Sequence, residues 1–159
     1  MKLTRWTAAA GGVLALTAAS AQAAAPVKIA FITDMSGVYS AVDGPGGVAA
    51  INMAIHDFGG KVLGRKIELM TFDHQNKADL AAAKAKEFLS QDGADMLVAG
   101  TNSATALAME PVAAEYKRPM MVVGAGASTI VGKQCTPYTD MYAYNTTALA
   151  RGTGKAIVD

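Results

Sequence analysis

The stretch VAGTNSATALAMEPVA, residues 98–113, decides the fold. Its apolar start stops abruptly at Gly100-Thr101-Asn102-Ser103, four residues that favour no sheet, and an alanine-rich helical segment follows at once. A strand that runs straight into a helix is one half of a β-α unit. The first N–H groups of such a helix have no acceptor within it. Here they would stand beside three polar side chains, so the sequence predicts a place to hold an anionic or strongly polar group. Ser103 or Thr105 can donate to a ligand oxygen. The same pattern also fits a plainer role, with Asn102 or Ser103 capping the helix.

The pattern repeats on both sides of this stretch. VKIAFITD (27–34) is a continuous apolar run closed by an acid, as expected of a strand buried on both faces. After the loop MSGVYSAVDGPGG, the residues Val48, Ile51, Ile55 and Phe58 recur at helical spacing up to Gly59-Gly60. KIELMTFD (66–73) is the second strand. Asp73-His74-Gln75-Asn76 then reads as the cap of a helix whose stripe is Ala78, Ala81, Ala82, Ala85, Phe88 and Leu89. ADMLVAG (94–100) and PMMVVGAG (119–126) are strands three and four, and MYAYN (141–145) is a short extended piece before a last helix. Right-handed β-α crossovers then require a parallel sheet with helices on both faces. The fold class is α/β, doubly wound, with the flavodoxin-like strand order 2-1-3-4-5. In that order ligands bind at the carboxyl ends of strands 1 and 3, where the winding reverses. Three loops rich in glycine and hydroxyls converge there: 34–43, 100–103 and 124–128. Ser128 and Tyr39, which lie on two of them, have plainer readings as a loop hydroxyl bonded to its own backbone and a surface aromatic.

The N-terminus, MKLTRWTAAAGGVLALTAASAQA, has Lys2 and Arg5 ahead of an apolar run and then Ala21-Gln22-Ala23. This predicts a secretory signal peptide cleaved after Ala23 and a periplasmic mature chain. Removing Lys2 and Arg5 takes the formal charge from +1 to −1, and without basic clusters nucleic-acid binding is not expected. The single cysteine, Cys135, is either an idle or buried thiol or pairs with sequence outside this chain. The final GTGKAIVD reads as the opening turns of a helix, so residues 24–159 are expected to be the N-terminal part of a longer protein.

Enzyme motifs are missing. GPGGVA (44–49) spells a dinucleotide fingerprint, but ten residues separate it from the first strand, too far for the tight phosphate turn. There is no G-x-S-x-G, S-x-x-K, H-E-x-x-H or C-x-x-C. His56 and His74 lack ligand spacing, and nothing in the sequence buries Asp34 or Asp43 as tuned acids. No catalytic residue, metal or cofactor is expected.

Taken together, VKIAFITDMSGVYS, GPGGVAAINMAIHDFGG, KIELMTFDHQNKAD, DMLVAGTNSATALAMEPVA and PMMVVGAGAST resemble the periplasmic substrate-binding proteins of ABC transporters in the branched-chain amino acid and amide family, type I. The resemblance runs from about Val27 to the end. It implies a two-lobe receptor, of which this chain is most of the first lobe, closing on a small solute and presenting it to an inner-membrane ABC permease, with a monomer expected. It also implies ligand contacts from Ser103, with Ala104 and Thr105 beside it, from Ala127 and Ser128, and from Tyr39. Branched-chain amino acids, amides or urea, and aromatic carboxylates all suit such a half-site. A periplasmic sensory domain of a signalling system, using the same fold, is the alternative, and an exported enzyme with its catalytic residues outside this chain is a third reading.

Overall fold

The computed structural model describes residues 24–158; the expected signal peptide falls on residues 1–23, outside them. Five parallel strands form the sheet: β1 (Val27–Thr33), β3 (Arg65–Asp73), β4 (Met96–Ala99) and β5 (Met120–Val122) follow the sequence reading, while β6 (Thr139–Met141) lies ahead of the extended piece expected at 141–145 and shares only Met141 with it. A two-residue strand, β2 (Lys61–Val62), adds antiparallel to β3 through the Leu63-Gly64 turn. It is too short to carry an apolar pattern, which is why periodicity does not reveal it. The sheet order is β2-β3-β1-β4-β5-β6, so the five parallel strands take the expected order 2-1-3-4-5.

The helices are α1 (Ser40–Asp43), α2 (Pro45–Asp57), α3 (Ala78–Ser90), α4 (Ser103–Glu115) and α5 (Thr146–Val158). The crossover from β1 to β3 runs one way along the sheet, and those from β3 to β4 and β4 to β5 run the other. Right-handedness therefore puts α2 on one face and α3 with α4 on the other. The α3/α4 face holds the core: Ala30, Ile32, Leu97, Ala99, Met120 and Val122 from the strands meet Ala81, Ala85, Ala106, Met109 and Ala113 from the helices. Small alanines let both helices lie close to the sheet. The stripe read on α2 is only half-covered, with no buried residue in that helix and Phe58 exposed beyond its end.

Two local readings need correction. The residues 73–76 do not cap α3, because the N-cap position is Lys77, which makes no side-chain cap bond; His74 is turned into the protein and is fully buried. The loop after β1 is not irregular throughout, since Ser40–Asp43 forms a helical turn directly before α2. At the start of α4 the capping expectation holds: Asn102 Oδ1 accepts from the N–H groups of Ala104 at 2.7 Å and Thr105 at 3.2 Å. Replacing this cap, Asn102→Ala, is expected to lower stability by about 1 kcal/mol, read from the urea midpoint at unchanged slope.

Glu110 lies on the inward side of α4, next to Pro111, and is 1% exposed. Neither carboxyl oxygen has a hydrogen-bond partner. Burial raises its pKa, and the nearby Thr139 hydroxyl and Thr136 backbone only partly oppose this. The folded state therefore holds a proton that the unfolded state releases, and stability falls as pH rises from the ordinary glutamate value through the raised one. Glu110→Gln is expected to raise the melting temperature by a few degrees at pH 7 and to flatten that fall in melts between about pH 4 and pH 8.

Candidate functional site

The carboxyl ends of β1, β4 and β5 open onto one cavity of about 510 Å³. Tyr39 reaches it from the loop after β1, Ser103 from the first turn of α4, and Ala127 and Ser128 from the loop after β5. These four are brought together as the sequence suggested. Thr101, Gly124, Gly126, Thr129, Tyr144, Thr146 and Thr147 complete the lining. Of these, the residues from 144 onward lie past β6, in a stretch read from sequence as the end of a strand and the start of a helix. Only the return of that segment to the sheet edge brings them in, and no local pattern signals it.

Asn102 and Thr105 do not line the cavity. The Asn102 amide is spent on the helix cap and on the Asn76 side chain. Thr105 is fully buried, and its Oγ1 donates to the Asn102 carbonyl at 2.9 Å. The anion site expected from free N–H groups at the start of α4 is therefore reduced, because those of Ala104 and Thr105 are already bonded to Asn102.

Ser103 is placed differently. The Ala127 N–H donates to its Oγ at 3.2 Å, which ties the start of α4 to the loop after β5. Accepting this bond uses a lone pair and leaves the hydroxyl hydrogen for an external acceptor. Ser128 Oγ accepts from the Thr147 N–H at 2.8 Å and the Thr147 hydroxyl at 2.7 Å, and meets Thr146 Oγ1 at 2.9 Å. It borders the cavity but is engaged in holding the start of α5. Thr101 Oγ1 is buried and has no partner.

The loop bearing Tyr39 is held by carboxylates. Asp34, 1% exposed, accepts from the N–H groups of Gly37 at 2.7 Å and Tyr39 at 3.0 Å. Its burial, which the sequence did not disclose, serves this turn. Asp43 accepts from Thr33 Oγ1 at 2.8 Å. Asp73 accepts from the Met35 N–H at 3.0 Å and the Ser36 hydroxyl at 2.6 Å. Burial opposes ionisation of Asp73, but the hydrogen bonds from Ser36, Met35 and Gln75 outweigh it and hold its pKa low. His74 Nδ1 accepts from the Asn76 N–H at 3.0 Å, so its proton sits on Nε2. Burial lowers the His74 pKa against the attraction of Asp34, Asp73 and Asp43. Among the described residues no three His, Cys, Asp or Glu side chains gather as metal ligands, and no helix is long and apolar enough to cross a membrane. Cys135 is exposed rather than buried.

Comparison with known proteins gives this geometry a family. Residues 26–159 match the periplasmic binding protein family. A crystal structure of a periplasmic binding protein from Burkholderia mallei is 61% identical, with a TM-score of 0.82 over 84% of this chain and 36% of that one. A branched chain amino acid ABC transporter periplasmic ligand-binding protein from Burkholderia xenovorans is 36% identical, with a TM-score of 0.79 over 83% of this chain and 35% of that one. An ABC transporter solute binding protein from R. palustris, solved in complex with benzoate, is 26% identical, with a TM-score of 0.77 over 84% of this chain and 37% of that one. No curated protein matches. The chain spans little more than a third of the length of these solved relatives, which are binding proteins rather than enzymes. The chain belongs to the periplasmic binding protein family, among the type I, branched-chain amino acid group of ABC-transporter binding proteins.

Proposed function

We propose that this chain is the first lobe of an exported two-lobe receptor that binds a small polar solute and delivers it to an inner-membrane ABC permease. The observation that carries this reading is the convergence of Tyr39, Ser103, Ala127 and Ser128, from three separate loops, on one open cavity at the reversal point of the sheet. No catalytic step is assigned to it. Ser103 donates its free hydroxyl hydrogen to the ligand's carboxylate or amide oxygen, Ala127 supplies a small wall, and Tyr39 an aromatic one. The second lobe covers the ligand from the other side. A ligand that touches both lobes favours the closed form by its differential affinity, and the permease recognises closure. The signal peptide at residues 1–23 and a periplasmic location belong to the same proposal.

The ligand classes to test are branched-chain amino acids, short amides and urea, and aromatic carboxylates, the first and last also named for relatives of this chain. In a thermal-shift screen of the intact mature protein, one class is expected to raise the melting temperature in a concentration-dependent way. At a hundredfold excess over Kd the stabilisation is about 2.7 kcal/mol. No shift with any class counts against a transport receptor for these solutes and turns attention to the sensory reading.

Ser103→Ala is expected to weaken binding of the ligand so found by about 1 to 3 kcal/mol in titration calorimetry, the value of a hydrogen bond to a charged or strongly polar group. Unchanged affinity would return Ser103 to its structural bond with Ala127.

A further inference from the structure

We propose that Tyr144 is a specificity-determining wall of the site and that, resting on the solute-binding reading above, it selects an aromatic carboxylate over an aliphatic amino acid. Tyr144 lies beyond β6 and borders the same cavity as Tyr39 and Ser103. Its ring edge rests on the backbone of Gly126: a Cβ at that position would stand 2.9 Å from Tyr144 Cε2. The segment is pinned where it meets the loop after β5. The Thr146 N–H donates to the Gly126 carbonyl at 2.7 Å, and the Thr147 N–H to Ser128 Oγ at 2.8 Å. Tyr144 is thus held at the cavity rim with half of its surface exposed, whereas an ordinary surface tyrosine would have no such anchorage.

The chemistry of the lining gives the ligand class. None of its residues carries a formal charge. A carboxylate finds a neutral donor in the Ser103 hydroxyl, whose hydrogen is left free when its oxygen accepts from the Ala127 N–H. Two tyrosine rings supply faces and edges to a flat ring, which prefers offset or edge-on contact with them to aliphatic packing. A planar acid with its carboxylate at Ser103 and its ring beside Tyr144 satisfies each of these features, whereas an aliphatic side chain gains no ring-to-ring contact from either tyrosine.

The test compares the intact protein with Tyr144→Phe and Tyr144→Leu by calorimetry, using benzoate, 4-hydroxybenzoate, leucine and cyclohexanecarboxylate, the saturated counterpart of benzoate. Benzoate or its hydroxy derivative is expected to bind at least tenfold more tightly than leucine. Tyr144→Phe is expected to keep affinity within about twofold, and Tyr144→Leu to lose about five- to tenfold for the aromatic acids while cyclohexanecarboxylate changes less than twofold. Gly126→Ala, which displaces the ring without removing it, is expected to weaken aromatic acids in the same sense and guards against a misfolded leucine variant. Equal losses for benzoate and cyclohexanecarboxylate would make Tyr144 a packing residue and overturn its proposed role. Tight binding of leucine with none of the aromatic acids would overturn the ligand class while leaving the solute receptor intact. Binding of no solute at all by the wild type would remove both.

Discussion

The site depends on β1 lying between β3 and β4. Ile32 stands opposite Phe72 on one side and Ala99 on the other, and the Gly100 N–H continues the ladder by donating to the Ile32 carbonyl at 3.2 Å. The next residues must leave the sheet past the end of β1. A Cβ on Gly100 would lie 2.2 Å from Thr33 Oγ1 and 2.6 Å from Asp43 Oδ2, so only glycine lets the backbone pass that closely. The turn that follows aims the first residues of α4 back over the sheet edge, and Ser103 acquires its position from this. The polar run after β4 is therefore abrupt for a steric reason as well as a chemical one.

A layer of acids holds the loop that carries Tyr39. Asp34, Asp43 and Asp73 sit at the ends of β1 and β3 or in the loop between β1 and α2, close to His74. Each accepts hydrogen bonds from the loop that carries Tyr39 or from the end of β1. Asp73, which accepts from two backbone N–H groups and the Ser36 hydroxyl, is a poor base, because those bonds favour its charged form. The layer shapes the loop. His74, fully buried with its Nδ1 accepting from the Asn76 N–H, lies near these carboxylates, and its Nε2 has no partner among the described residues.

Sequence periodicity missed β2, which is too short to carry an apolar signal. It was sufficient for β1, β3, β4, β5 and the long helices, because each of these β-α units carries its own, and the doubly wound rule then supplied the sheet order. It was also sufficient for Ser103, Ala127, Ser128 and Tyr39 as neighbours, since the order alone places their loops at one edge. It could not separate residues that face the cavity from residues that build its rim. Asn102, Ser103 and Thr105 are close in sequence and similar in chemistry, yet one caps α4, one faces the cavity and one bonds back to the first. That division follows from the helical rotation at one turn and from the close approach of Asn76, a long-range contact. Tyr144 was equally hidden, since its place depends on the bond between Thr146 and Gly126 across the sheet edge.

The neutrality of the cavity bears on how such a lobe works. In an open half-site water competes for Ser103, so a hydrogen bond to a ligand contributes only about 0.5 to 1.5 kcal/mol net. Two or three such bonds and one aromatic contact cannot hold a small solute tightly against the entropy of binding. The same groups count for more once a second surface excludes water and lowers the local dielectric. On the proposed reading, a charged lining would bind solute in the open form and weaken the link between binding and closure. A neutral, hydroxyl-lined half-site does the reverse: it binds appreciably only when covered, so the free energy of binding is expressed as closure, the event a permease can recognise.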